Sequence, residues 1–239
     1  MCFGLYDPSR VLTFDGAGVE VEWNSEVDTA PWLMLSLSGT MNVTNGAKVT
    51  FTVDSGSTGS RNAIYMNSGS VINVTNGSSF TIKGNETTGK VGQGIQLDVT
   101  GKSNINVTGN SSFTIDGTNR GYVNSPSIYV EDSTFTVQNC TANASNGGNF
   151  TAVNSQIFYK DNAGHGLSAD DVIIKNSNFV ASNNGYYGMR SAGEFKVDST
   201  SKVVVTGNSA GGDFAGLKLT SGVTAGKVES GAVVTITDN

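Results

Sequence analysis

The sequence has little charge, one histidine, two cysteines, three prolines and no long apolar run. Charged residues are 14% of the 239, the net charge is −6, and no Lys/Arg cluster occurs, which argues against a nucleic-acid-binding protein. No apolar run is long enough to predict membrane insertion in this segment, and no signal peptide is visible at the start. So few His and Cys leave little material for a metal site or a Cys/His nucleophile, and no cofactor or metal is predicted.

Small and turn-forming residues take the place of the missing charge. Gly, Ser, Thr and Asn together make up close to half of the chain, and 37% of residues are hydrophobic. Val, Ile, Phe and Thr recur in short alternating runs bounded by Gly, Asn and Ser, which is typical of β-strands. Because the apolar residues recur regularly, the chain is predicted to be an ordered, elongated all-β protein and not a flexible linker.

One short pattern recurs along the chain: an apolar residue, any residue, and a second apolar residue. The recurrences begin at residues 49, 80, 113, 135, 157, 179, 203 and 234, so the steps are 31, 33, 22, 22, 22, 24 and 31 residues. Three consecutive steps of 22 indicate a true repeat of the kind found in solenoids. The longer steps insert apolar runs at 64–66 and 95–97, which predict an additional strand in the larger coils.

A second regularity lies five residues after each start. Asn fills five of these eight positions, which are Asp54, Asn85, Thr118, Cys140, Asn162, Asn184, Asn208 and Asn239. Asn tolerates the left-handed backbone conformation of a tight corner, and stacked Asn side chains bond to one another. We therefore predict a structural corner ladder, formed by Asn85, Cys140, Asn162, Asn184 and Asn208.

The repeat predicts a single-stranded parallel β-helix over residues 39–239. A coil cannot bury its apolar edge alone, so coils stack and align Phe, Val and Ile in a continuous core. Phe80 and Ile82 are expected to point inward and Thr81 outward. About eight coils would give a rod roughly 40 Å long, wound right-handed like other parallel crossovers. A two-sheet sandwich is the alternative fold, but it does not require an Asn at every corner.

Residues 1–38 do not carry the repeat and are predicted to form an N-terminal capping segment. They hold both tryptophans, Trp23 and Trp32, and six acids against one base, Arg10. A capping segment with large aromatics would cover the open edge of the first coil. The alternative is an acidic calcium or ligand site, because Glu20 and Glu22 would project from one strand face. The final repeat is complete and no cap follows it, so we expect the chain to be part of a longer protein.

The repeat resembles that of the pectin-lyase-like superfamily of right-handed parallel β-helices, which includes polysaccharide lyases and hydrolases as well as surface adhesins. Polygalacturonases of this superfamily carry a Gly-His-Gly and an Asp-Asp, similar to the motifs at 164–166 and 170–171. In those enzymes the Asp-Asp lies in an earlier coil, whereas here it follows in the same coil, and the Asn-Thr-Asp of those enzymes is missing. The resemblance therefore implies the adhesin type, and no catalytic residue is assigned.

A surface column is the candidate binding site. Steps of 22 residues place Asn143, His165 and Tyr187 above one another on one side of the rod, with Arg190 in the neighbouring column. Rings with donors beside them are what a sugar or a peptide contacts. The predicted binding residues are Tyr186, Tyr187, Arg190, His165 and Asn143. The alternative is an ordinary loop that packs its tyrosines on the coil below.

These observations favour an extracellular, bacterial surface protein of the adhesin type. Its partner would be a host or environmental glycan or a host surface protein. The alternatives are a polysaccharide lyase or hydrolase, which is another class of protein, and a purely structural stalk. Fold resemblance alone does not separate them.

Overall fold

Parallel β-strands make up the regular structure of the chain. The computed structural model describes residues 3–24, 33–53, 62–84, 92–98, 102–124, 126–208, 216–220, 222–223 and 225–239. All strand pairs within these ranges are parallel, and no α-helix occurs in them. The same part of the chain therefore contains no helix long and apolar enough to cross a membrane.

Two sheets of nine strands run along the whole stack. Sheet 2 contains β2 (Val11–Asp15), β5 (Thr40–Thr44), β8 (Val71–Val74), β11 (Asn104–Thr108), β14 (Ser127–Glu131), β16 (Phe150–Val153), β19 (Val172–Lys175), β22 (Glu194–Val197) and β25 (Ala225–Val228). Sheet 3 contains β3 (Glu20–Asn24), β6 (Lys48–Val53), β9 (Ser79–Gly84), β12 (Ser112–Asp116), β15 (Thr134–Gln138), β17 (Gln156–Lys160), β20 (Asn178–Ser182), β23 (Lys202–Thr206) and β26 (Val233–Thr237).

Two shorter sheets complete the coils. Sheet 1 contains β1 (Phe3–Leu5), β4 (Leu33–Leu37), β7 (Asn62–Met66), β10 (Gln93–Leu97) and β13 (Tyr122–Val123). Sheet 4 contains β18 (Leu167–Ala169), β21 (Met189–Ser191) and β24 (Leu217–Leu219). Strands β7 and β10 are the additional strands predicted for the larger coils. On every turn the chain passes from sheet 2 to sheet 3, preceded by a strand of sheet 1 in the first five coils and of sheet 4 in the last three, which fits the predicted parallel β-solenoid.

The separate N-terminal cap is not confirmed. Residues 3–24 form β1, β2 and β3, which pair in register with the next coil: Leu12 lies opposite Met41, and Trp23 lies opposite Phe51. The segment therefore adds a ninth coil to the eight that were predicted. In β3 the inward residues alternate with exposed acids such as Glu22. Because acids stand where other coils have Ser or Thr, the repeat was not recognised in this segment. Trp32 lies outside the described residues.

Aromatic rings fill the interior behind sheet 3. Phe51, Phe80 and Phe113 are fully buried, and their ring centroids follow one another at 5.2 and 5.1 Å in edge-to-face contact. Thr81 between two inward residues faces outward, as the alternation predicted. Each buried Phe contributes about 1.5–3 kcal/mol relative to an exposed ring, so stacking of coils is the main source of stability.

The corner after sheet 3 carries the predicted side-chain ladder. Asn162, Asn184 and Asn208 are each 1% exposed. The Nδ2 of Asn162 donates to Oδ1 of Asn184 at 2.8 Å, and Nδ2 of Asn184 donates to Oδ1 of Asn208 at 2.8 Å. Cys140 occupies the same row, where its backbone N–H donates to Oδ1 of Asn162 at 3.0 Å. Asn85 and Asp54 lie outside the described residues.

The left-handed conformation belongs to the residue before the ladder. Positive φ occurs at Asn139 (55°), Asp161 (56°) and Asn183 (54°), each immediately before a ladder position, and not at the ladder residues themselves. The expected left-handed corner Asn is therefore shifted by one residue. The side chain of the residue with positive φ lies outside the core. The side chain of the following ladder residue lies in the interior, where its amide bonds to buried backbone groups.

The corner between sheets 2 and 3 carries a second ladder that the sequence analysis missed. The N–H of Ser111 donates to the Oγ of Ser133 at 3.1 Å, and the same bond recurs from Ser133 to Ser155 at 3.2 Å and from Ser155 to Ser177 at 3.0 Å. A left-handed Asn or Asp again precedes each of these serines. The Asn-Ser or Asp-Ser dipeptide that recurs before β12, β15, β17 and β20 was the available signal.

Candidate functional site

The predicted binding residues lie on the turn that follows the Asn ladder. In two successive coils this turn leads from sheet 3 into sheet 4 and carries His165 and then Tyr187. Tyr187 is 6% exposed, whereas its neighbour Tyr186 is 42% exposed. The first ring is therefore part of the packed surface, and the second projects from it.

The column from Asn143 to Tyr187 is held by direct contacts. The Oδ1 of Asn143 accepts a hydrogen bond from the backbone N–H of His165 at 3.0 Å. The imidazole of His165 stacks on the Tyr187 ring, with centroids 4.9 Å apart and an interplanar angle of 7°. The ring of Tyr186 lies 5.3 Å from the imidazole at 48°. Three rings thus form one cluster at the side of the rod.

Two cations border this ring cluster. The Nζ of Lys218 donates to the Tyr187 hydroxyl at 2.7 Å and lies 4.9 Å from the ring centroid. Nη1 of Arg190 donates to Oγ of Ser168 at 3.2 Å. Sequence reasoning missed Lys218, although it is the next member of the Ser168–Arg190 column in the pairing of β18, β21 and β24. The signal was hidden because the step to this coil is 28 residues instead of 22.

Positive charge predominates at the edge of the ring cluster. Burial, and then the charges of Arg190 and Lys218, hold the pKa of His165 below its usual range, so the imidazole is neutral at neutral pH. The four ion pairs in the described part of the chain use Arg10, Lys48, Lys196 and Lys227 as their cations, so neither cation of the cluster has a carboxylate within 4.0 Å there.

The glycines around His165 have a packing role. A Cβ on Gly164 would come within 2.1 Å of Oδ1 of Asn143, and a Cβ on Gly185 would come within 2.0 Å of the Ala163 carbonyl oxygen. A side chain at either position would push the stacked turns apart. A Cβ on Gly166 would likewise come within 2.4 Å of the Gly188 carbonyl oxygen, so close approach of neighbouring coils accounts for both glycines of the Gly-His-Gly.

The acids considered for catalysis or calcium binding have structural contacts. Oδ1 of Asp171 accepts the backbone N–H of Glu194 at 2.6 Å, so this carboxylate caps the next coil. Glu20 and Glu22 project from the same face of β3, as expected, and Glu20 pairs with Lys48 at 2.9 Å. Over the described residues, no group of three or more His, Cys, Asp or Glu side chains is arranged to hold a metal ion.

Cys140 packs inside the ladder. Its thiol is 3.5 Å from Oγ1 of Thr118, and burial raises the pKa of the thiol to about 12, which keeps it protonated at neutral pH. Its position and contacts are those of a small core residue. Cys2 lies outside the described residues.

Comparison with known proteins found no relative of this chain. No family model matches the chain, and neither curated proteins nor solved structures give a significant match.

Proposed function

We propose that this chain is the adhesin-type β-helix of an extracellular bacterial surface protein and that it binds a glycan of a host or of the environment. In this proposal the coils wind right-handed and belong to the adhesin branch of the pectin-lyase-like superfamily. The stacked rings of His165 and Tyr187, with Tyr186 projecting beside them, carry the proposal. A rigid solenoid would present this cluster on its side.

Ring faces next to hydrogen-bond donors suit a saccharide. Sugar rings pack their apolar C–H faces on aromatic rings, while their hydroxyls need donors and acceptors at the rim. Tyr186 supplies an exposed ring, and Arg190 and Lys218 supply donors within the same cluster. The ladders beneath hold the turn in place, so little conformational entropy is lost on binding.

The proposal is tested by glycan binding of a single-residue variant. Tyr186→Ala removes the exposed ring and leaves the packed pair of His165 and Tyr187 in place, so we expect at least about a tenfold loss of affinity with an unchanged unfolding midpoint. A glycan array followed by titration of the best ligand measures it. Tyr6→Ala is the matched control, because Tyr6 is 72% exposed in the first coil, away from the cluster.

The alternatives give different results in the same assays. A purely structural stalk would bind no glycan and no host-cell surface. A polysaccharide lyase or hydrolase would release oligosaccharides from pectic or host glycans, and Asp171→Asn would abolish that release. Equal loss of binding in Tyr6→Ala and Tyr186→Ala would contradict the assignment of this cluster.

A further inference from the structure

The cationic edge of the cluster contains a pair of like charges in direct register. Arg190 on β21 is the Cα partner of Lys218 on β24. Neighbouring strands are about 4.8 Å apart, and like charges placed directly opposite each other destabilise a sheet. Either an acidic side chain of the protein or a bound anionic ligand can reduce this repulsion.

Sheet 2 contains a comparison within the same two coils. Lys196 on β22 is the Cα partner of Lys227 on β25, which is the same kind of like-charge pair. There each lysine has its own acid: Lys196 pairs with Glu194, and Lys227 pairs with Glu229 at 2.9 Å. The pair in sheet 4 has no such acid among the described residues. Within the described residues, one cation pair is thus neutralised by acids and the other, beside the rings, is not.

Both cations are oriented by neutral hydroxyls. Arg190 donates to Ser168, and Lys218 donates to the Tyr187 hydroxyl. These bonds position the side chains and use only part of their hydrogen-bonding capacity, since a guanidinium has five N–H donors and an ammonium has three. Donors therefore remain at the edge of the ring cluster for an external anion.

We infer that Arg190 and Lys218 bind the anionic group of an acidic saccharide, a carboxylate or a sulfate ester, whose sugar ring packs on the adjacent tyrosines. The inference rests on the proposed function and names the class of its glycan. A guanidinium fork matches planar and tetrahedral oxyanions in bidentate geometry, and the ammonium adds a second charge-assisted bond.

The test uses matched pairs of oligosaccharides: one sialylated and one sulfated, each with its uncharged counterpart. We expect the wild-type chain to bind at least one acidic member at least about tenfold more tightly than its counterpart, less so at high salt. Arg190→Gln and Lys218→Gln should each remove about tenfold of the affinity for the acidic member and weaken binding of its uncharged counterpart much less, because glutamine keeps a donor and loses the charge. The sialylated and sulfated arms separate a carboxylate from a sulfate.

Two controls make the result specific. Lys202→Gln removes an exposed lysine on sheet 3 that also has no ion pair among the described residues, and it should bind like the wild type. Lys218→Arg keeps the charge and should retain most of the preference for acidic ligands. Unfolding midpoints of all variants show whether a loss of binding is a loss of fold.

Each outcome bears on one claim. Equal affinity for charged and uncharged members overturns the inference and leaves the proposed function standing. Acidic binding that survives in both glutamine variants also overturns it. Absence of binding to every glycan overturns the proposed function itself, and binding of a poly-glutamate peptide without any glycan overturns the saccharide assignment.

Discussion

The amide of Asn184 shows how one side chain serves three coils. Its Oδ1 accepts Nδ2 of Asn162 at 2.8 Å, and its Nδ2 donates to Oδ1 of Asn208 at 2.8 Å and to the Tyr159 carbonyl oxygen at 3.0 Å. All of these atoms are buried, so none can turn to water if a partner is lost. A buried polar group that is fully bonded is harmless, and the same group without a partner is costly.

Asn184→Ala should therefore destabilise the chain by about 2–4 kcal/mol, because one substitution leaves several buried groups unsatisfied. Urea denaturation followed by circular dichroism measures the change. Asn178→Ala is the control: the Asn178 side chain is exposed and its Nδ2 donates to Oε1 of Gln156 at 3.2 Å, so we expect a change within about 0.5 kcal/mol. Equal effects of the two variants would show that burial of the ladder does not set its energetic weight.

Equivalent residues of successive coils could be predicted from the sequence only where the spacing between repeats was constant. The spacing of 22 identified the row that contains Cys140 and Asn162, but it could not show which residue of a pair such as Asn183-Asn184 turns the backbone. Both positions favour Asn, one for its left-handed φ and the other for its amide. Lys218 was missed because its step from Arg190 is 28 residues instead of 22, and an irregular step does not reveal register.

Two buried tyrosines connect elements that are distant in sequence. The hydroxyls of Tyr122 on β13 and Tyr159 on β17 lie 2.7 Å apart, and burial raises the pKa of both phenols. The bond links sheet 1 to sheet 3 through the interior. It lies where sheet 1 ends and the next coil continues only as a single bridge, Tyr122 to Ser145.

A double-mutant cycle measures this link between sheets. Tyr122→Phe and Tyr159→Phe should each cost about 1–2 kcal/mol, since each leaves the other hydroxyl with one partner fewer. The double variant should cost about 1 kcal/mol less than the sum, because no hydroxyl is then left unpaired. Thermal or urea unfolding of the four proteins provides the cycle. Strict additivity would mean that the two hydroxyls do not stabilise each other.

Strands were predicted correctly where apolar and polar residues alternate over five or six positions. The five- and six-residue strands of sheet 3, such as β9 and β12, show inward Phe and Ile between outward Ser and Thr. Strands of sheet 4 have three residues, too few for a period of two to stand out. In the first coil the inward residues Leu12 and Phe14 alternate as elsewhere, but no Asn corner marked the repeat there.

At the scale of the whole molecule, the two outermost coils differ from the rest. Each has a neighbouring coil of this chain on one side only, and apolar side chains that are buried in inner coils are partly exposed there. Among the described residues, seven of the eight large hydrophobic residues that are exposed lie in these coils: Phe3, Tyr6, Val11, Leu219, Val228, Val233 and Ile236. Stability should therefore be lower at both ends than in the middle, as in other one-dimensional stacks.

Hydrogen exchange followed by mass spectrometry measures that gradient. Amides of β12, β15 and β17 should exchange at least about tenfold more slowly than those of β2 and β26, because opening an end coil breaks one interface and opening a central coil breaks two. Peptides that cover equivalent strands of sheet 3 form matched pairs with the same local structure. Uniform protection from β3 to β26 would indicate a single cooperative unit.

The direction of the Asn ladder has a consequence for chain growth. In three successive steps an Nδ2 donates toward the coil made next, from Asn162 to Asn184, from Asn184 to Asn208 and from Asn208 to Asn239, each time at 2.8 Å. Synthesis delivers the N-terminal coil first, so each new amide waits for its acceptor until the following turn has left the ribosome. One N–H of each ladder amide is already bonded to a carbonyl of the preceding coil, so each finished turn presents the other N–H to the segment behind it, and we expect this donor to help place the next coil.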